Sequence, residues 1–204
     1  MNRLKVAACA VLAMSGASVG AWAAEPAGAG QTELGGPAVA GVCLLSQQAV
    51  LANAKAGVAA SARLKQLADQ AQAEVDGERG PIQADAKALA AQKASLKPAE
   101  FQQREQALGT RLTALQQKAD QRSREIEATR VKALGRIATE AQPVIAAVYK
   151  ARGCGLLIDR GTVLGGNMAG DLTAAVVQGL DAKLASLTFE RETLPAGQPA
   201  PAAR

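Results

Sequence analysis

The sequence predicts an α+β protein, mainly helical, in which one long antiparallel helical hairpin is inserted into a small β body. Residues 47–152 are dominated by Ala, Gln, Lys, Arg, Glu and Leu, strong helix formers, with few β-branched residues among them. Short apolar runs of strand length flank that stretch: Gly41-Val42-Cys43-Leu44-Leu45 before it, and Gly155-Leu156-Leu157-Ile158 and Thr162-Val163-Leu164 after it. Of 204 residues only Phe101, Phe189, Tyr149 and Trp22 are aromatic, so a core must be assembled from Ala, Leu and Val. Histidine is absent altogether, which excludes Ser-His-Asp and Cys-His catalysis and imidazole metal sites.

The N-terminus reads as an export signal. Asn2-Arg3-Leu4-Lys5 is a short positive segment, residues 6–19 form an apolar run, and Ala21-Trp22-Ala23 places small residues where a signal peptidase cuts, after Ala23. The run is too short for a membrane span, which needs roughly 20 apolar residues. Its removal takes Arg3 and Lys5 away and leaves 21 basic residues against 18 acidic ones, a mildly basic balance of +3. Residues 24–40, rich in Ala, Gly and Pro without apolar period, read as a flexible leader.

The β body is expected from 41–46 and 153–188. Cys43 lies in the first run and Cys154 at the entry of the second. In an oxidising compartment this even count invites a disulfide tying together the two ends of the helical excursion, the alternative being two buried thiols.

Within 47–152, Ser95-Leu96-Lys97-Pro98-Ala99-Glu100-Phe101 is the stop signal. Pro98 suits the first turn of a new helix and would break an old one, so the chain is expected to reverse at 95–100. Val75, Ile82, Leu89 and Leu96 recur every seven residues on the outgoing helix, and Leu108, Leu112, Leu115, Ala119 and Ile126 lie along the return. Arg122 and Thr129 fall where the return pattern wants apolar residues, which predicts a thin seam. Gly77, Gly80 and Pro81 weaken the outgoing helix, as a hinge or as a local kink; Pro143 is expected to kink the return helix. Asp171 is the expected N-cap of a last helix whose Leu172, Val176, Leu180 and Leu184 share one face and cover the sheet. Residues 189–204 are expected to be disordered.

These elements resemble the Skp/OmpH family of periplasmic chaperones. The opening strand through Gly57, the tip Leu96-Lys97-Pro98-Ala99-Glu100-Phe101, the segment from Gly153 to Leu164 read as a closing hairpin, and Asp171-Leu172-Thr173 at the last helix carry the resemblance. It implies a homotrimer whose strands form a central body and whose three hairpin arms enclose a cavity. Unfolded outer-membrane proteins would be held there without ATP, and no cofactor is implied. A unit of two or three strands is in any case too small to stand alone and needs partners to complete a core.

Client contact is expected on the arm and its tip, at Lys93, Leu96, Lys97, Phe101, Arg104 and Leu108. For Leu89, Leu96, Phe101 and Leu108, hairpin core is the favoured reading over client contact. Lys87, Lys93, Lys97, Arg104 and Arg111 outweigh Glu100 and Glu105, a local excess of +3 suited to acidic clients or anionic lipid headgroups, or simply to a solvated face. A periplasmic adaptor of an envelope complex would use the same arm. Nucleic-acid binding lacks a stacking platform. An enzyme lacks a paired acid and base, since Asp159 and Asp171 suit turn and cap chemistry better.

Overall fold

The computed structural model describes residues 35–195 and 197. The expected export signal, residues 24–34 of the leader, and residues 196 and 198–204 lie outside the described residues. The order of elements is β1 (Val42–Leu45), α1 (Gln47–Asn53), α2 (Lys55–Ala91), α3 (Pro98–Ala151), β2 (Leu156–Asp159) and α4 (Thr173–Lys183).

β1 and β2 pair in parallel, with Val42 opposite Leu156 and Cys43 opposite Leu157. The polypeptide between them is the long helical excursion, as a parallel pair requires. Cys43 and Cys154 are joined as a disulfide, their Cα atoms 5.8 Å apart and 111 residues apart in sequence.

Where a third strand is expected, at 162–164, the chain turns away. The Asp159 carboxylate accepts the N–H of Gly161 at 2.7 Å and the Thr162 hydroxyl donates to the Asp159 carbonyl, folding Arg160–Thr162 into a 3-10 turn. Leu164 beyond it is almost fully exposed. The closing hairpin expected there is therefore absent, and the free side of β1 instead takes a single parallel bridge between Leu44 and Asp171.

Backbone chemistry fixes both ends of the excursion. At the C-terminus of α3, the N–H of Gly153 donates to the Lys150 carbonyl and that of Cys154 to the Tyr149 carbonyl, a Schellman closure with Gly153 at φ 64°. It delivers Cys154 to the head of β2. At the N-terminal end the helix is broken once, at Ala54, which adopts extended dihedrals. Propensity alone does not foresee this break. The first N–H of α2, on Lys55, is accepted by the Asp181 carboxylate of α4 at 2.7 Å, a cap supplied from 126 residues away.

The main core lies between β1, α1, the roots of α2 and α3, and α4. Ile137, Leu172, Val176 and Leu180 are fully buried at its centre, and Ala54, Ala56, Ala60, Ala133 and Ala141 allow the backbones to approach closely. The expected face of α4 is thus the buried one, with Leu184 packed against it. Asp171 does cap α4 by its side chain, accepting from Thr173 N–H at 2.8 Å; Leu172 already has helical dihedrals, although the regular helix begins at Thr173.

α2 is a single helix through Gly77, Gly80 and Pro81, and α3 is likewise continuous through Pro143. Packing holds α2 together across the weak point, because Val75 before it and Ile82 after it are both buried with Leu115 in a second small cluster. The tail also departs from expectation. Residues 189–194 are not disordered but lie along α2 and α3, because their polar groups find fixed partners there.

Candidate functional site

The turn between α2 and α3 is built by few groups. Ser95 and Leu96 both donate their N–H to the Gln92 carbonyl, and the Ser95 hydroxyl donates to it as well. Lys97 is extended, as a residue before proline prefers, and Pro98 opens α3. Phe101 is half-buried, and the Lys93 ammonium stands 5.8 Å from the centre of its ring, within cation–π range.

The structure gathers the expected contact residues at this turn but gives them different duties. Lys93 and Lys97 are exposed, Leu96 and Phe101 are half-buried, and Leu108 packs against the Val75–Ile82–Leu115 cluster. Arg104 is engaged twice, with Gln92 at 3.0 Å and Glu100 at 2.6 Å, and Arg111 pairs with Asp85 at 2.6 Å. Asp85 also belongs to the tip and lowers the local positive excess. The basic character presented to solvent is therefore carried by lysines, Lys87 included.

Polar contacts fix the register of the two helices. Arg104 meets Gln92, Arg111 meets Asp85, Lys118 meets Glu78 and Arg122 meets Glu74. In every pair the partners stand equally far from Pro98 along the chain, so α2 and α3 run antiparallel without slippage. The first three α3 members are spaced by seven residues, the repeat of a coiled-coil flank.

Nearer the body the ladder turns inward. Glu125 is 2 % exposed; it accepts from Arg122 at 2.7 Å and from Gln121 at 3.0 Å, and forms an ion pair with Arg191 at 3.3 Å. Arg191 also reaches Glu74 at 2.9 Å. Burial works against the charge of Glu125, yet the hydrogen bonds from Gln121 and Arg122 outweigh it and hold the carboxyl below the ordinary glutamate value. Glu74 is held low first by its hydrogen bond to Arg191, and then by Arg122, against some desolvation.

Sequence reasoning missed Glu74, Glu125 and Arg191. The available signal was the polar interruption at Arg122 and Thr129. Read as a thin seam, it is in fact a polar layer: Thr129 is 2 % exposed, donates to the Glu125 carbonyl and accepts the N–H of Glu192.

Among the described residues no group of three or more His, Cys, Asp or Glu is placed to hold a metal ion, and no helix is long and apolar enough to cross a membrane. Asp159 serves its turn, and Asp171 caps α4 while pairing with Arg160 at 2.7 Å. The cleft between α2 and α3 near the tip measures about 270 Å³, bordered by Leu89, Leu108 and the Arg111–Asp85 pair. It is too small for a polypeptide client.

Comparison with known proteins decides the relationship. The sequence model of one family, OmpH: outer membrane protein (OmpH-like), matches residues 41–180. The chain belongs to the OmpH family. A solved OmpH-family structure from Caulobacter crescentus CB15, described as a candidate outer membrane chaperone, is 41 % identical and superposes with a TM-score of 0.72. The match covers 78 % of this chain and 94 % of that one. No curated protein matches the chain. The family match ends at residue 180, before the segment that carries Arg191.

Proposed function

We propose that this OmpH-family protein is an ATP-independent periplasmic holdase, which keeps unfolded outer-membrane proteins from aggregating as they cross the envelope. The observation that carries the reading is a long antiparallel helix pair on a small α/β body in a chain of this family. The cleft near the tip is far smaller than a client, which favours client space outside a single chain, between arms. Three chains joined through the strand body would enclose it, with 47–152 as each arm and the tip near 95–100.

The binding chemistry rests on the surface. Val58 and Leu112 are more than half exposed on the helix pair, isolated apolar groups that offer weak, non-directional contacts to a client without fixed shape. Lys93, Lys97 and Lys87 at the tip add long-range attraction for acidic segments or for anionic lipid headgroups. The apolar run of residues 6–19 with small residues before position 24 supports export and cleavage after Ala23.

The test is light scattering on the mature protein, alone and after dilution of a urea-unfolded outer-membrane barrel protein into it. A trimer that keeps the barrel soluble in a defined complex is the expected outcome. A trimer that lets the barrel aggregate would turn the reading to an envelope adaptor, and a monomer would overturn the arm-and-cavity arrangement.

A further inference from the structure

We propose that residues 189–194 form a strap that clamps α2 and α3 together at the root of the helix pair and confines bending to the stretch beyond Glu74. The strap is held from both sides. From α2, Arg63 donates to the Phe189 carbonyl at 3.2 Å and pairs with Glu190 at 2.7 Å, while Glu74 receives Arg191. From α3, Thr129 accepts the Glu192 N–H at 2.9 Å, Lys132 pairs with the Glu192 carboxylate at 2.7 Å, and Gln121 donates to the Leu194 carbonyl. Phe189 packs against the main core and anchors the near end.

The central element is Arg191. By the register about Pro98, the α2 residue that faces Glu125 is Ala71, which is buried and carries no charge. A carboxylate enclosed opposite an alanine needs cations from elsewhere, because an unpaired buried charge is strongly unfavourable. Arg122 supplies one from the same helix. Arg191 supplies the other from the strap and, reaching Glu74 as well, joins two helices that otherwise meet here through Arg122.

Beyond this layer the strap ends, and the helices meet through the small Val75–Ile82–Leu115 cluster and exposed ion pairs, which contribute little individually. Gly77, Gly80 and Pro81 lie in that outer stretch. The strap thus makes the root stiff and leaves the outer part compliant, whatever the arm holds.

Hydrogen exchange on the intact mature protein tests this. Arg191→Ala should speed exchange of amides in 63–76 and 121–132 by about tenfold or more, as expected for a buried carboxylate losing one of its partners. Amides of 98–112 and of the strands should be unchanged. Arg191→Lys keeps the charge but cannot span Glu74 and Glu125 together, so it should give a smaller increase in the same segments. It carries the test should the alanine variant fail to fold. Unchanged exchange at the root in the lysine variant and in a chain ending at Phe189 would overturn the strap, as would an increase spread equally over strands and tip.

Discussion

Asp181, near the end of α4, accepts the backbone N–H of Lys55 at the head of α2 at 2.7 Å. The last helix thereby caps the first long one, and the break at Ala54 has its cause on the far side of the sequence. Asp181→Ala should cost about 1 kcal/mol, the usual worth of an N-cap. Urea unfolding of the variant checks this, and Asp181→Asn should recover most of the loss.

Two glycines of α2 should respond in opposite directions to alanine. A Cβ on Gly57 would stand 1.7 Å from the Leu51 carbonyl oxygen, so Gly57→Ala must drive α1 off α2 and should cost about 3 kcal/mol. Nothing lies within 4 Å of a Cβ on Gly77, and there Ala should stabilise the helix by about 0.5–1 kcal/mol. Thermal unfolding of the two variants side by side distinguishes them.

Reduction of Cys43–Cys154 should lower stability by about 2–4 kcal/mol, since the bond closes a segment of 111 residues. Thiol labelling of the oxidised, denatured mature protein should find no free cysteine. Two labelled thiols per chain would contradict the bond.

Acid should act on the polar layer, on the Glu140–Lys183 pair and on the Asp171 cap. Glu74, Glu125, Glu140 and Asp171 all have carboxyls held below their ordinary values: Glu74 by Arg191 and Arg122, Glu125 by Gln121 and Arg122 despite burial, Glu140 by Lys183, Asp171 by Thr173 and Arg160 despite burial. Their stabilisation is complete above the unfolded values of 4.5 for Glu and 3.8 for Asp, and is lost as pH falls through the lower folded values. With no histidine in the chain, stability should be flat from about pH 5 to 8 and fall below about pH 4.5. Urea midpoints measured from about pH 7 to pH 3 check the profile. Arg191→Ala should flatten the acid limb, because Glu74 loses its largest partner.

Much of the architecture is legible in the sequence wherever local chemistry decides. Pro98 at the reversal, the seven-residue recurrence of Val75, Ile82 and Leu89, and the face of α4 each come from spacing or from one residue's stereochemistry. The misses share a cause, which is a partner remote in sequence or a side chain competing with the backbone. Ala54 breaks a helix that propensity favours because Asp181 is there to cap α2 at Lys55. Thr162-Val163-Leu164 has strand composition, yet the Asp159 side chain takes the backbone first. Residues 189–194 lack periodicity, but the order of an extended strap rests on single polar contacts, and Arg63, Gln121 and Thr129 show no sign of them until the helices are paired. Glu125 was hidden for the same reason: nothing in its neighbours announces that the residue across from it is an alanine.

The equal distance of each cross-helix pair from Pro98 constrains how this protein can change in length. A deletion in α2 alone would slide Asp85 and Glu78 past Arg111 and Lys118 and set the apolar clusters against the wrong faces. Removing seven residues from each helix, symmetrically about the tip, would leave every remaining pair matched. The length of the helix pair is therefore a quantity that can be altered only in mirrored steps of about two helical turns, each shortening the pair by roughly 10 Å.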